Sequence, residues 1–168
     1  NEEHKIVDFI CYESYRDYPI EGGPTCYLKT IFSRKLLIYA SRLLEEIKFT
    51  GIAMLDFRGT VEEPYFLEIN PRVWGSANVV DVSKSTFFES YVEAAKGKKK
   101  EIDIEKCEAT YKINTKMRFT PQSFACFVAN MKKSNHKIKT FFQYVASFFD
   151  LTVKDGLFAL DDVKPYIR

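Results

Sequence analysis

The amino-acid sequence predicts an α+β domain in which an antiparallel sheet is packed with helices and followed by a helical C-terminal extension. Three observations predict this class: short apolar segments typical of strands, a long segment with helical spacing, and two aromatic-rich segments near the end. The chain has 168 residues, of which 46% are hydrophobic and 29% charged, which is enough for one domain with a core.

The first half of the chain predicts a strand, a loop, a helix and a hairpin, in that order. Residues 5–15 are apolar and β-branched at their start, and residues 16–25 (RDYPIEGGPT) have the proline and glycine content of a loop. Residues 33–49 predict a helix, with Ser33 as N-cap and leucines at helical spacing. Two short strands, residues 51–57 and 65–69, flank a polar turn and predict an antiparallel hairpin.

The second half predicts a helix over residues 83–96, a strand over 109–119, and two aromatic-rich helices over 122–133 and 137–149. The end of the chain, residues 156–167, has no regular pattern. We therefore divide the chain into residues 1–105 and an extension, residues 106–168, that packs on the same unit.

Composition excludes several classes of function. The net charge of +2 and the short apolar runs argue against a general nucleic-acid binder and against a membrane protein. Four cysteines without a CxxC spacing and two isolated histidines argue against a zinc site. Free thiols in a reducing compartment are the simpler interpretation, so we expect a cytoplasmic protein.

The segment YFLEINPRVWGS carries the strongest chemical pattern. Because side chains alternate along a strand, Glu68 and Asn70 share a face, while Leu67 and Ile69 point the other way, towards the core. If Asp56 on the first strand faces Phe66 or Glu68, three oxygen donors converge. Such donors suit Mg²⁺ or Mn²⁺.

Residues just beyond this strand add phosphate chemistry to the pattern. The guanidinium of Arg72 can hold phosphate oxygens in pairs, and Gly75 lets the backbone turn or approach a ligand. Any one of these residues could instead form a local salt bridge or turn, but their combination favours a functional site. Trp74 is interpreted as a packing residue.

These residues resemble the C-terminal lobe of the ATP-grasp superfamily, in the branch of carboxylate–amine ligases and carbamoyl-phosphate-synthase-like proteins. The resemblance is carried by GIAMLDF and YFLEINPRVWGS, and upstream by the loop YRDYPIEGGPTCYLKT; it covers about residues 5–96. The tail from Cys107, ending in a DD.KP element, loosely resembles the helical extension of some members.

The resemblance implies ATP and Mg²⁺ (or Mn²⁺) as cofactors. It implies that Asp56, in place of the usual glutamate, binds metal with Glu68 and Asn70, and that Arg72 contacts ATP phosphates or the acyl phosphate. The implied reaction activates a small carboxylate as an acyl phosphate and joins it to an amine. Arg16, Thr25 and Lys29 are candidates for substrate specificity.

The resemblance also implies a second lobe that grips the nucleotide and that is missing before Asn1. We therefore expect the second half of a ligase, which is inactive alone and needs a missing N-terminal lobe or a partner chain. Two alternatives stay open: a non-catalytic split or truncated subunit, and a kinase of the same superfamily that stops at phosphorylation. An apolar face left uncovered by the missing lobe could also support self-association into a homo-oligomer.

Overall fold

The computed structural model describes residues 1–98 and 101–157, and their mixed α+β architecture confirms the predicted class. The elements in chain order are β1 (Cys11–Asp17), β2 (Thr25–Ile31), α1 (Arg34–Glu46), β3 (Met54–Gly59), β4 (Pro64–Asn70), α2 (Val79–Val82), α3 (Phe87–Ala95), β5 (Lys116–Arg118), α4 (Thr120–Lys133), α5 (Lys137–Phe148) and β6 (Val153–Asp155).

The strands form two sheets, so the expectation of one antiparallel sheet is wrong. The larger sheet has the order β1-β2-β5-β6, and the smaller one is the hairpin β3-β4. Strands β1, β2 and β5 pair antiparallel, but β5 and β6 pair parallel. This parallel pair is possible because α4 and α5 lie between the two strands and return the chain to the same end of the sheet.

The core lies on one face of the four-stranded sheet, where every second residue of β2 is buried. Leu28 packs with Met117 of β5 and with Trp74, Val79 and Val80. Further along the same face, Cys26 packs against Cys126 of α4 and Tyr144 of α5. The aromatic-rich helices therefore contribute side chains to the core.

Helix α1 begins as predicted. The Ser33 side chain accepts a hydrogen bond of 3.3 Å from the backbone N–H of Leu36, which satisfies one of the free donors of the first turn. Leu37 is buried against Phe9 and Tyr111. Helix α1 therefore covers the end of the chain that leads into β1.

Several elements differ from their predicted bounds. The first strand, predicted over residues 5–15, is observed as β1 and begins only at Cys11. The helix predicted from Ser83 begins at Phe87, because Lys84 adopts a left-handed backbone (φ 58°) that ends the separate turn α2. The predicted strand over residues 109–119 shrinks to β5, since Tyr111 leaves the sheet and buries its ring. Strands β2 and β6 were not predicted. Of the irregular end, only Gly156 and Leu157 are among the described residues.

The strands of the β3–β4 hairpin contain no fully buried residue. A β-bulge between Asp56 and Phe57 leaves Leu67 with no residue opposite it, and its side chain is 54% exposed. The prediction that Leu67 points into the core is therefore wrong, whereas Ile69 is half-buried.

None of the described helices is long and apolar enough to cross a membrane.

Candidate functional site

The hairpin register brings the predicted oxygen donors to one face. Asp56 of β3 lies directly opposite Glu68 of β4, and Met54 lies opposite Asn70. Residues directly opposite each other share a face, and so do alternate residues along a strand. Asp56, Glu68 and Asn70 therefore lie on the same side of the hairpin, as the alternation predicted.

The side-chain amide of Asn70 links the carboxylate of Glu68 to the guanidinium of Arg72. Its Nδ2 donates to Glu68 Oε1 at 2.8 Å, and Arg72 Nη2 donates to Asn70 Oδ1 at 3.5 Å. The backbone N–H of Arg72 also donates to the Asn70 carbonyl at 2.8 Å, which turns the chain at Pro71. The strand end thus holds a carboxylate, an amide and a guanidinium in one hydrogen-bonded row.

The charged form of the Asp56 carboxyl is destabilised by burial and by its neighbour Glu68. Partial burial raises the pKa of Asp56, repulsion from Glu68 and a hydrogen bond with it raise that pKa further, and Arg58 partly offsets the effect. A cation between the two carboxylates would relieve this repulsion. Within residues 1–98 and 101–157 no three His, Cys, Asp or Glu side chains cluster as metal ligands, and the amide oxygen of Asn70 is a further oxygen donor on the same face of the hairpin.

The site opens into a cleft of about 1030 Å³ between the two sheets. The cleft is lined by the whole of β3, by the first four residues and the last residue (Asp17) of β1, and by the glycine-rich loop ahead of β2. Asp56, Glu68, Asn70, Arg72 and Gly75 all line it. The chain therefore brings its five chemically distinctive residues to the wall of one cavity.

The structure separates the three candidates for substrate specificity. Thr25 lines the cleft, and its hydroxyl donates to Ser14 Oγ at 2.7 Å and to Asp17 at 3.1 Å. Arg16 instead stacks on the rings of Tyr27 and Tyr144, and it donates to Ser147 at 2.9 Å. Lys29 lies over the ring of Tyr15, at 5.5 Å from its centroid. Neither Arg16 nor Lys29 is part of the cleft wall.

Further polar residues of the cleft were not found from the sequence. Tyr12 accepts a hydrogen bond of 3.1 Å from Ser76 and donates to the sulfur of Met54. Burial, followed by the nearby Asp56 and Asp17, raises the pKa of Tyr12 to about 12, so its hydroxyl stays protonated at neutral pH. Tyr12 and Ser14 lie two residues apart in YESYRD, which is the spacing of one strand face, whereas Asp17 falls outside that spacing and follows a register irregularity of β1.

Trp74 has the packing role that the sequence predicted. Its indole is buried and meets the ring of Phe87 edge-on, with 5.5 Å between ring centroids. Its Nε1–H has no hydrogen-bond acceptor among the described residues.

The neighbouring Gly75 is not in the left-handed region, and a side-chain carbon added to it would meet no heavy atom within 4 Å. Nothing in the chain itself therefore demands a glycine at that position.

Comparisons with known proteins bring no further assignment to this site: no protein-family model, curated protein or solved structure matches the chain.

Proposed function

We propose that this chain is the C-terminal lobe of an ATP-grasp ligase, and that its hairpin binds the metal ions that accompany ATP. The observation that carries the proposal is the pairing of Asp56 with Glu68, with Asn70 on the same face and Arg72 beside it. Two carboxylates and an amide are hard oxygen donors, and this set fits Mg²⁺ or Mn²⁺ better than zinc.

The proposed roles follow from the chemistry of each side chain. Asp56 and Glu68 would hold the cation, which neutralises the charge of the phosphates and bridges them to the acidic hairpin. Asn70 would supply a third oxygen once its amide turns away from Arg72. The exposed guanidinium of Arg72 would hold phosphate oxygens in pairs and stabilise the negative charge that develops during transfer.

The proposed reaction has two steps. A substrate carboxylate oxygen attacks the terminal phosphorus of ATP, which forms an acyl phosphate and releases ADP. The nitrogen of an amine then attacks the acyl carbon, inorganic phosphate leaves, and the amine loses a proton to give an amide. Groups that grip the adenine and the remaining phosphates would come from additional polypeptide, either in the same protein or in a partner chain.

Binding of Mn²⁺, followed by electron paramagnetic resonance, tests the metal site. We expect Asp56→Asn and Glu68→Gln each to weaken Mn²⁺ binding at least tenfold, a loss of about 1.4 kcal/mol. Glu89→Gln, which alters an exposed carboxylate on α3, is the matched control and should leave binding unchanged. The metal site is refuted if the wild-type chain binds no Mn²⁺ or if all three variants bind alike.

Calorimetry with Mg-ATP then separates the proposed ligase lobe from the alternatives. We expect the chain alone to bind Mg-ATP only in the millimolar range, near about −4 kcal/mol, because the acidic hairpin offers few contacts beyond the metal. Addition of the nucleotide-gripping polypeptide should restore turnover. Metal binding without turnover in that complex would favour a non-catalytic subunit, and an acyl phosphate as the final product would favour a kinase.

A further inference from the structure

Helix α5 has two apolar faces, and only one of them packs on the core. Tyr144 and Phe148 belong to the packed face. The other face has apolar residues at positions 138, 142, 145 and 149, and a spacing of four and three residues forms one stripe along a helix. Three side chains of this stripe are largely exposed: Ile138 at 77%, Phe142 at 64% and Phe149 at 78%.

Stacked rings continue this stripe onto α4. The ring of Phe142 meets that of Phe141 at 5.7 Å between centroids, and Phe141 meets Phe127 of α4 at 6.3 Å. Phe127 in turn lies 6.1 Å from the exposed Phe124. Because the stripe and the ring cluster share Phe142, they form a single exposed surface. We call it the α4–α5 apolar surface, and it consists of Phe124, Ile138, Phe141, Phe142, Phe149 and the adjoining Leu151.

The same part of the chain carries only positive charge. The segment from Ala109 to Phe149 has seven Lys or Arg residues and no Asp or Glu, although the whole chain has 25 basic and 23 acidic residues. Lys137 and Lys139 precede and follow Ile138, so they lie on either side of the stripe, about 100° away around the helix. Neither lysine forms an ion pair within the part of the chain that the structure describes.

Two carboxylates near the ends of the surface are each paired with a different lysine. Asp150, which follows Phe149, forms an ion pair of 2.7 Å with Lys116. Glu21 forms an ion pair with Lys133, the last residue of α4. These carboxylates are therefore neutralised locally, and the two lysines that flank the stripe keep their charge for a negative partner.

We propose that the α4–α5 apolar surface docks on a lipid membrane with anionic headgroups, with α5 in the plane of the interface. Ile138, Phe142 and Phe149 enter the boundary between the headgroups and the acyl chains. Lys137 and Lys139 extend beside them to the lipid phosphates, as long basic side chains do at such boundaries. This proposal does not rest on metal or ATP binding, so either can fail without the other.

The chemistry of the surface favours a membrane over a nucleic acid or a folded protein. Basic residues complement the negative potential of an anionic leaflet. Nucleic acids are bound through aromatic rings and basic groups, and the aliphatic side chains of Ile138 and Leu151 offer neither. Leu151 is 94% exposed, so it projects from the molecule, and a fluid acyl layer can surround a projecting side chain.

Sedimentation of the full chain with lipid vesicles tests the proposal. One set of vesicles is phosphatidylcholine, and the other is an equal mixture of phosphatidylcholine and phosphatidylserine. At low ionic strength we expect at least about tenfold tighter binding to the anionic vesicles, because the lysines add to the apolar contribution. In about 1 M salt, where the screening length falls to about 3 Å, most of this difference should disappear.

Substitutions at exposed positions separate the two contributions. Ile138→Gln and Phe142→Gln each remove part of the apolar stripe, and the double variant Lys137→Gln with Lys139→Gln removes the flanking charge. Each of the three proteins should bind anionic vesicles about tenfold more weakly. Circular dichroism and thermal melting check that each variant is folded.

Helix α3 offers matched controls. Val92→Gln replaces an exposed apolar side chain of α3, and Lys96→Gln replaces an exposed lysine at its C-cap. Both changes have the same chemistry as those on α5 but lie outside the α4–α5 apolar surface. Both control variants should therefore bind anionic vesicles as tightly as the wild-type chain.

Fluorescence quenching tests whether the stripe enters the lipid. The chain has a single tryptophan, Trp74, which is buried, so the wild-type signal serves as the background. In Phe142→Trp, we expect brominated acyl chains in the anionic vesicles to quench the added fluorescence. The same vesicles should leave the wild-type fluorescence unchanged.

Four results would each overturn the proposal. They are no binding to anionic vesicles, equal binding to neutral ones, undiminished binding by the α5 variants, and no quenching in Phe142→Trp. Binding to a single-stranded oligonucleotide without binding to vesicles would assign the surface to nucleic acid instead. A dimer that is lost in Phe142→Gln, again without binding to vesicles, would assign it to a second copy of the chain.

Discussion

Asp56 and Glu68 face each other across the β3–β4 hairpin, and partial burial, followed by their mutual repulsion, raises the pKa of Asp56. Like charges directly opposite on a sheet destabilise it, so this pairing is unfavourable for folding unless a cation lies between them. The pairing therefore lowers the stability of the cation-free hairpin, and the cation proposed above would relieve this repulsion.

The first prediction concerns that repulsion. Without divalent cations, Asp56→Asn should raise the free energy of unfolding at neutral pH by about 0.2–1 kcal/mol, a small value because the group is partly exposed. The folded-state pKa of Asp56 lies above its ordinary value of 3.8, so the destabilisation is absent below pH 3.8 and grows as the pH rises through the folded-state pKa. Urea denaturation in the presence of a chelator, at a series of pH values from acidic to neutral, measures the free energy of unfolding of both proteins. A gain in the stability of the variant that is independent of pH would contradict the prediction.

The second prediction concerns the faces of the hairpin. Leu28→Ala, in the fully buried core, should cost about 2–5 kcal/mol. Leu67→Ala should change stability by no more than about 0.5 kcal/mol, because that side chain is exposed. Ile69→Ala, which is half-buried, should fall between them, at about 1–2 kcal/mol. Thermal and chemical unfolding measure the loss of stability in each variant. A large loss of stability in Leu67→Ala would show that the hairpin is covered in solution.

The third prediction compares two glycines of the cleft wall. A side-chain carbon on Gly23 would lie 2.2 Å from backbone atoms of Tyr18 and Pro19, so Gly23→Ala should destabilise the loop by more than about 1 kcal/mol. Gly75→Ala meets no atom within 4 Å and should leave stability unchanged within about 0.5 kcal/mol. If Gly75 lets the backbone approach phosphate, the same variant should weaken binding of Mg-ATP; equal losses of stability in both variants would refute the comparison.

The fourth prediction concerns a hydroxyl that replaces a sheet hydrogen bond. Tyr111 Oη donates to the Ile31 carbonyl at 2.6 Å and accepts from the Cys11 N–H at 3.1 Å, so it bridges the ends of β1 and β2. Tyr111→Phe should cost about 1–3 kcal/mol, because both backbone groups lose a partner in a buried place. Tyr65→Phe, at an exposed position, is the control, and equal unfolding midpoints for the two variants would contradict the bridge.

The hairpin and its oxygen donors could be predicted because they depend on local pattern. Alternation places Glu68 and Asn70 on one face whatever surrounds the hairpin, and the short polar turn fixes the pairing with β3. The bulge at Leu67 could not be predicted, since no residue type marks it. It is the reason why an apolar residue of a correctly predicted strand lies in solvent.

Elements that depend on distant partners were harder to predict. Strand β2 follows a loop with two prolines and two glycines, yet its Cys26, Leu28 and Thr30 alternate and are all buried, so the pattern was present but short. Strand β6 has three residues and exists only because it pairs with β5. The role of Arg16 depends on Tyr144, a residue far away in the chain, and no local pattern indicates that contact.

The pairing of β2 with β5 has a consequence for how the chain reaches its folded state. The Thr30 hydroxyl contacts the Thr115 carbonyl across a separation of 85 residues, and Leu28 lies opposite Met117 at the centre of the core. During synthesis, both hairpins can close soon after they leave the ribosome, because their partners are local. Leu28, in contrast, lacks its cross-strand partner Met117 until residue 117 has been made, since contacts between distant residues form late and slowly. The face of β2 that packs on β5 is therefore completed late in folding, and the interval before that is the one in which aggregation or chaperone binding would occur.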